Sequence, residues 1–511
     1  MAEVIVLGER PLTIDQIAAV ALDECPVRID DSAALTQRLE RSRTHLAAAL
    51  ARGESIYGVT TGYGGSCSNR VHPENSRHLG ANLIRYHGCG CGEPLGIPEV
   101  RATLLCRLIS LLRGYSAVSR ELLDQLAAFL NAGITPVIPS IGSVGASGDL
   151  TPLSYLAATL AGEREVFFNR ERILASEALE RAGLKPYRFK PKEPLAIING
   201  TAVMTGIAAV TIHRSRRVIN AAVMGSALSV HGMAGNRRHF RPEIFAAKPF
   251  PGQAQVAHRL FTTLAESSPV QFSAAPETLQ DPYSLRCAPH VIGVVEDAFS
   301  WMVPWVETEA NGVSDNPLLD PESGDVLTGG NFYGGHIAFA MDGLKAALAS
   351  VADLCDRQIA LLVDPRFSRG LPSCLTKVSA DEESGLHHGF KAAQITASAL
   401  TAEALRNTMP AASFSRSTES HNQDKVSLGT IAARDAGQAV YLVSRVVAIL
   451  LLVGAQACEL RGAMDARPAI EALVQSVRDR VPALLEDRPM DIDIELTAMA
   501  ILDEGAPCEK P

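Results

Sequence analysis

Apolar residues recur along most of this chain at the spacing of α-helices. Within 336–363, for example, the residues at i, i+4, i+7 and i+11 share one helical face and are all apolar: Leu344, Leu348, Val351 and Cys355. Segments rich in Ala, Leu, Val and Met with little Pro predict helices over residues 101–131, 201–233, 336–363, 391–409 and 427–461. Several of these are apolar nearly all round, which favours a mainly α protein with a central helical bundle.

The helical pattern breaks at residues 185–194, where three prolines and five charged residues interrupt it. We therefore predict a loop-rich N-terminal domain over 1–194 and a helical bundle over 195–511. The most apolar run, 446–455, is too short to cross a bilayer, so no membrane contact is expected.

Composition narrows the class of partner. The chain has 511 residues, 47% of them hydrophobic, and a net charge of −9, which argues against nucleic acid and anionic membrane partners and favours small molecules. Ten cysteines in so long a chain are typical of free thiols in a reducing compartment. The N-terminus lacks the basic and apolar regions of a signal peptide, so we expect a cytoplasmic protein.

One glycine-rich stretch, GSVGASGDL at 142–150, stands between two strongly helical regions. Its glycine spacing and the lack of a following Lys fit a phosphate-binding loop poorly, and the offsets do not match the GxSxG of a nucleophile elbow. A structural reading is a loop that caps the next helix, with Ser147 or Asp149 as N-cap and Pro152 in the first turn. That reading leaves room for chemistry.

A third reading makes the backbone itself the reagent. If a tight turn presses the amide nitrogen of Gly148 onto the carbonyl carbon of Ala146, an imidazolone ring can close. Ser147 can then lose water, which leaves an exocyclic methylene conjugated to the ring. Such a group is an electrophile that accepts an amine, and no unmodified side chain supplies it.

Two further stretches carry candidate chemistry. The segment YGVTTGYGG at 57–65 is too rich in Gly for a stable helix or strand, and we interpret it either as a surface turn or as a lid that brings a phenol over a ligand. A phenol titrates near ~10, so it becomes a base only if positive surroundings lower its pKa. The HGCGC segment at 87–91 has no second Cys and His cluster at zinc spacing, so no metal is expected.

The run GSVGASGDLTPLSY closely resembles the signature of the histidine, phenylalanine and tyrosine ammonia-lyase family. In that family Ala-Ser-Gly matures into 4-methylideneimidazol-5-one, which the resemblance places here at Ala146, Ser147 and Gly148. Matches to other family motifs, among them AIINGT at 196–201 and SHNQDKVS at 420–427, extend it over nearly the whole chain. It implies an ammonia-lyase-like fold and a homotetramer whose active sites are shared between subunits, without a metal or dissociable cofactor.

Site residues follow from the same motifs. The resemblance makes Tyr57 the base that removes the β-proton of the substrate, Tyr283 a second catalytic phenol, and Arg286 the clamp for the substrate carboxylate. It places Asn199 beside the prosthetic group. The matched motifs add three further substrate-binding residues: Gln280, Phe332 and Asn422.

Substrate choice rests on Tyr86, His87 and Gln423. The resemblance aligns Tyr86-His87 with the family's selectivity pair, and His87 can hydrogen-bond an imidazole or a phenol, whereas plain phenylalanine would leave it unpaired. At position 423 histidine lyases carry Glu, and a neutral amide favours a cationic imidazole less. We therefore expect an aryl-alanine, with tyrosine favoured. The alternatives are a histidine ammonia-lyase giving urocanate, a tyrosine 2,3-aminomutase and, from another class, an inactive helical scaffold.

Overall fold

Helices form most of the computed structural model, which describes residues 4–72, 75–268, 279–377 and 385–505. The mainly α class predicted from the periodicity is confirmed. Over the described ranges the α-helices are Ile14–Leu22, Ala33–Ala51, Ser76–Tyr86, Ile97–Leu112, Arg120–Asn131, Leu150–Leu160, Ala175–Arg181, Glu193–Ile198, Ala202–Gly232, Pro242–Ala246, Pro251–Thr263, Tyr283–Arg286, Ala288–Asn311, Gly335–Val363, Lys391–Arg406, Gly429–Arg461, Pro468–Arg478 and Asp491–Asp503. Short 3-10 helices are Gly64–Ser66, Arg237–Phe240, Ser373–Leu375 and Ala411–Phe414.

The strands are short and form four small sheets. Ile5–Leu7 pairs in parallel with Val27–Ile29. Two sheets are antiparallel pairs, Cys91–Pro94 with Pro139–Ile141 and Leu318–Leu319 with Val326–Leu327. The fourth sheet has three antiparallel strands, in which Glu165–Phe168 lies between Thr135–Pro136 and Glu171–Leu174. These ribbons hold loops in place between helices.

The chain forms two compact units, each assembled from three separated segments. The first unit comprises Met1–His213, Val303–Asp342 and Pro410–Asp435, and the second comprises Arg214–Met302, Gly343–Met409 and Ala436–Pro511. The sequence boundary expected at residue 194 falls inside the first unit. Long helices explain the difference, because four of the unit boundaries lie within helices that continue across them.

Three of the five predicted long helices match the structure to within two residues at each end. The predicted helix over 101–131 is two helices, Ile97–Leu112 and Arg120–Asn131, because Gly114 adopts a left-handed conformation with φ +83° between them. The predicted helix over 391–409 ends at Arg406, shortly before Pro410. Ala288–Asn311 was not predicted, since it contains Pro304 in its interior.

In the first unit the helix Ile97–Leu112 is buried on all sides from Val100 to Leu112. It carries two buried cations as well as apolar side chains. The guanidinium of Arg101 donates to the carbonyls of Val20 and Leu130. Arg107 donates to the carbonyls of Asn199 and Ser314. The core of this unit is therefore mainly apolar but contains two buried arginines that donate hydrogen bonds to backbone carbonyls.

In the second unit two long helices approach closely through glycines. A Cβ atom on Gly225 would lie 2.7 Å from Leu450, and one on Gly454 would lie 2.8 Å from Leu228, so each glycine accepts the side chain of the other helix. Gly429–Arg461 is long and apolar enough to cross a membrane by composition, and 83% of its most apolar window is buried inside the protein. The core helix of a soluble protein has the same composition.

Candidate active site

The glycine-rich turn at 142–149 is held by a close crossing with a second backbone segment. Ser147 has φ +48° and Gly148 has φ +78°, both in the left-handed region. The amide of Asp149 donates to the carbonyl of Gly200 at 2.8 Å, and the amide of Gly200 donates to the carbonyl of Ser147 at 3.1 Å. A Cβ on Gly148 would lie 2.1 Å from the Gly200 oxygen, so only glycine fits at this crossing.

Asp149 anchors the turn from inside the protein, where its side chain is fully buried. One carboxylate oxygen accepts from the amides of Val203 at 3.0 Å and Met204 at 2.9 Å. The other accepts from Ser143 Oγ at 3.0 Å and from Thr430 Oγ1. Burial raises the pKa of Asp149 to about 6, although these four hydrogen bonds act in the opposite direction.

Asp149 caps a different helix from the one that the sequence predicted it to cap. Asp149 does precede Leu150–Leu160, but its side chain makes no capping bond to that helix. It instead caps the first turn of Ala202–Gly232, whose free amides favour a carboxylate. Asp149 therefore ties the turn to the helix that follows Gly200.

Ser147 projects toward a polar contact on a later segment. The side-chain amide of Gln423 donates to Ser147 Oγ at 3.1 Å, and Thr418 Oγ1 donates to the Gln423 carbonyl oxygen at 3.2 Å. Ala146 and Gly148 on either side carry no side chain beyond a methyl group. A fixed left-handed turn with small flanking residues fits the cyclisation that the sequence suggested.

The turn opens into a cavity of about 640 Å³ within the first unit. That volume suits a single aryl amino acid. Nine of the site residues predicted from the sequence line this cavity: Tyr57, Tyr86, His87, Ala146, Ser147, Asn199, Phe332, Asn422 and Gln423. Gly148 belongs to the turn that borders this cavity.

Tyr57 lies at the start of the glycine-rich loop, whose later residues curl back over it. The amide of Gly64 donates to the Tyr57 phenol oxygen at 2.9 Å, and the ring of Tyr63 packs edge-on at 6.4 Å. Burial raises the pKa of Tyr57, and the carboxylate of Glu419 raises it further, whereas the Gly64 amide lowers it. The pocket of this chain alone does not make Tyr57 a ready base.

Glu419 is a pocket residue that the sequence reasoning missed. Its two carboxylate oxygens accept from the amide of Gly65 at 3.0 and 2.9 Å, which attaches the loop to the segment before Gln423. A Cβ on Gly64 would lie 2.2 Å from the Glu419 carboxylate. Its position four residues before Gln423, immediately before a matched motif, was the available signal.

Tyr86 and His87 form the aromatic end of the cavity. Their rings are tilted by 48° with centroids 4.4 Å apart. Burial lowers the pKa of His87 to about 4, so its imidazole is neutral at pH 7. The Nδ1 atom of His87 is buried and has no hydrogen-bond partner among the described residues. A neutral ring with one unpaired nitrogen is suited to bind a polar group on a ligand.

The remaining candidates lie in the second unit and are not among the residues that line the cavity. Tyr283 is 71% exposed, and the guanidinium of Arg286 stacks 4.6 Å from its ring centroid while donating to the carbonyl of Asp281 at 3.0 Å. Gln280 is exposed beside them. A shared active site, which the resemblance implies, would need these residues from another subunit, so their roles stay predictions.

The cysteines and the groups of potential metal ligands bear on disulfide formation and metal binding. Cys89 and Cys91 are exposed free thiols. In the described part of the chain, no group of three or more His, Cys, Asp or Glu side chains is placed to hold a metal ion. The cysteines of the described ranges are unpaired, and Cys508 lies outside those ranges.

Comparison with known proteins gives consistent matches over the chain. The family model described as aromatic amino acid lyase matches residues 12–479. The histidine ammonia-lyase of Gloeobacter violaceus is 40% identical, with 98% of this chain and 96% of the relative covered. The tyrosine ammonia-lyase of Cereibacter sphaeroides is 38% identical, with 97% of each covered. The crystal structure of a tyrosine aminomutase from Streptomyces globisporus superposes with a TM-score of 0.91 at 34% identity, covering 98% of this chain and 97% of the other.

Proposed function

The chain belongs to the aromatic amino acid lyase family, and we propose that it eliminates ammonia from an L-aryl-alanine, preferably L-tyrosine, to give an arylacrylate. The electrophile is a 4-methylideneimidazol-5-one formed from Ala146, Ser147 and Gly148. One observation carries the proposal: the backbone crossing at Gly200 fixes a left-handed Ser147 at the base of an aryl-sized cavity. When formed, the ring supplies an electrophilic carbon for an amine.

Tyr57 is the residue that takes the β-proton of the substrate. Its phenol must first be deprotonated, and both burial and Glu419 oppose that. The substrate ammonium and the guanidinium of Arg286 from another subunit are the positive charges that offset them. The Gly64 amide then stabilises the phenolate by its hydrogen bond.

His87 recognises the aryl group. Its unpaired, buried Nδ1 pairs with the hydroxyl of tyrosine, whereas phenylalanine leaves the nitrogen without a partner. An unpaired buried polar group costs about 1–3 kcal/mol, which corresponds to roughly fivefold to 150-fold in kcat/KM. Tyr86 packs against His87 and keeps the ring in place.

Histidine is the second candidate substrate, because several similar relatives are histidine ammonia-lyases and a neutral His87 can also pair with an imidazole. Gln423 favours tyrosine, since its neutral amide offers no negative charge to an imidazolium. A tyrosine 2,3-aminomutase remains an alternative for the same residues, on the likeness to the Streptomyces enzyme.

A substrate panel with product identification tests the proposal. L-Tyrosine, L-phenylalanine and L-histidine are each incubated with purified enzyme, and products are separated by chromatography. We expect 4-hydroxycinnamate and ammonia from tyrosine, with kcat/KM about tenfold or more above phenylalanine. Faster urocanate formation would establish the histidine alternative, β-tyrosine as main product would establish the mutase, and no product would favour the scaffold.

A His87→Leu variant is the matched control for the panel. It removes the unpaired nitrogen while keeping an apolar side chain of similar size. We expect the ratio of tyrosine to phenylalanine kcat/KM to fall by about tenfold. An unchanged ratio would show that His87 does not read the hydroxyl.

We also propose a homotetramer in a reducing, cytoplasmic compartment. The exposed Tyr283 and the half-buried Arg286 beside it support the first part, because neither lines the cavity, which leaves the carboxylate clamp to be supplied between subunits. The unpaired cysteines support the second. Light scattering after size exclusion tests the assembly, and a monomer with full activity would overturn it.

A further inference from the structure

A buried ionic cluster lies behind the cavity, next to Asn199. The side chains of Lys192 and Asp315 are fully buried and in contact through Lys192 Nζ and one Asp315 oxygen. The other Asp315 oxygen accepts from the amide of Asn316 at 2.7 Å and from Asn199 Nδ2 at 3.4 Å. Arg107 Nη1 donates to the backbone carbonyl of Asn199 at 3.1 Å. No part of the mechanism above uses this cluster.

The cluster determines which way the Asn199 amide points. Asn199 Nδ2 also donates to the carbonyl of Asn316 at 2.8 Å, so its two hydrogens both face acceptors. A rotated amide would place its oxygen against the Asp315 carboxylate and that carbonyl, which are both acceptors. The Asn199 amide is therefore held in a single orientation.

That orientation leaves an acceptor directed away from the cluster. Asn199 Oδ1 is buried and has no partner among the described residues, although Asn199 lines the cavity. A buried, unpaired acceptor is costly unless a ligand donor meets it. The amine of an amino acid is such a donor, and an arylacrylate has no amine.

The two oxygens of Asp315 have separate tasks. One satisfies the ammonium of Lys192, which needs an anion when fully buried, and the other faces Asn199 Nδ2 and the amide of Asn316. Arg107 adds a second buried cation and fixes the Asn199 carbonyl. A neutral amide at position 315 would have only one oxygen for these two tasks.

We propose that Lys192 and Asp315 are positioning residues that hold the amide oxygen of Asn199 toward the cavity to accept from the substrate amine. The inference rests on the proposed function and deepens it, because it names what recognises the amino group. Neither residue touches the substrate itself.

The first test is a set of substitutions with a distinctive order of activity. In Asp315→Asn the single oxygen turns to Lys192, its NH₂ faces Asn199, and Asn199 rotates; we expect kcat to fall about tenfold or more. In the double variant Lys192→Met/Asp315→Asn the oxygen is free to face Asn199 again, and kcat returns to within about fivefold of wild type. A double variant less active than Asp315→Asn would contradict the proposal.

An Asn199→Ala background shows whether the pair acts through Asn199. Adding Asp315→Asn there should leave kcat unchanged, whereas general damage would multiply with the first loss. If Asp315→Asn gives no folded protein, Lys192→Met/Asp315→Leu replaces it, because leucine accepts no hydrogen bond and must lose at least about tenfold in kcat. Arg445→Met, which breaks the Arg445–Glu495 ion pair elsewhere, should lower the melting temperature and leave kcat unchanged.

The closing experiment needs no ring. In a Ser147→Ala background, calorimetry measures binding of L-tyrosine and of 4-hydroxycinnamate with and without Asp315→Asn. We expect affinity for tyrosine to fall about tenfold and affinity for the amine-free acid to stay the same. Equal losses for both ligands would overturn the proposal. Wild-type ring content and turnover are measured first, because their absence counts against the proposed function and leaves the ligand comparison standing.

Discussion

The turn at 142–149 and the loop at 57–65 are both glycine-rich and both border one cavity, yet their glycines exist for different reasons. In the turn, Gly148 faces the backbone oxygen of Gly200, which cannot move aside. In the loop, Gly64 faces the carboxylate of Glu419, the end of a flexible side chain. The backbone contact therefore fixes the conformation of the turn, whereas the loop contacts a side chain that can move.

The anchoring of the two segments differs in the same way. Asp149 joins the turn to two other segments through three buried hydrogen bonds, and accepts a fourth from Ser143 within the turn. The loop is joined to its neighbour through Gly65 and Glu419, at an exposed position. The proposed function calls for this difference, because a turn that cyclises needs rigidity and a loop that admits a substrate needs a contact it can release.

The largest effect is expected from Gly148→Ala. The new methyl group would overlap the Gly200 oxygen at 2.1 Å, and φ of +78° disfavours any side chain. We expect no ring and a loss of activity of about a thousandfold or more, measured by intact mass and product formation. A ring-bearing, active variant would show that the crossing is dispensable.

Gly53→Ala is the matched control for that variant. Gly53 has φ +72° with no atom within 4 Å of the new Cβ, so it shares the backbone strain without the overlap. We expect a loss of about 1 kcal/mol in the free energy of unfolding and unchanged turnover.

A smaller effect is expected from Gly64→Ala in the loop. The methyl group displaces the Glu419 carboxylate and its bonds to Gly65, while the turn is untouched. We expect full ring content with kcat lowered about tenfold to a hundredfold, measured by intact mass and steady-state kinetics. Loss of the ring here would erase the distinction between the two segments.

The smallest effect concerns pH and stability. The folded-state pKa of Asp149, about 6, lies above its ordinary 3.8, so its contribution to stability is full below pH 3.8 and is lost as pH rises through about 6. Relative to Asp149→Asn, which cannot ionise, we expect wild type to lose on the order of 3 kcal/mol across that window, measured by denaturant unfolding. Tyr57→Phe should follow the wild-type slope, because burial raises the pKa of Tyr57 above 10.0.

Helical periodicity was enough to predict the class and most long helices, because apolar faces repeat without regard to what covers them. It could not place the break at Gly114 or the helix through Pro304, where tertiary packing overrides local preference. Nor could it show that the compact units interleave along the chain, since helices that continue between segments carry no boundary signal.

The candidate site was predictable where chemistry sits in a contiguous motif, as in Ala146-Ser147-Gly148 and Tyr86-His87. Two kinds of residue were beyond reach. Glu419 and Asp315 act through contacts formed by distant segments, and the role of Asp149 as the cap of a helix over fifty residues later depends on the fold alone.

Intact mass of the purified chain tests the central claim most directly. Cyclisation and dehydration of Ala146-Ser147-Gly148 remove two water molecules, so wild type should be lighter by that amount than its 54.4 kDa sequence. Ser147→Ala should keep an alanine at 147, lack the methylene, and be inactive on every aryl amino acid. A wild-type chain of full sequence mass that still releases ammonia, or a fully active Ser147→Ala, would contradict the account.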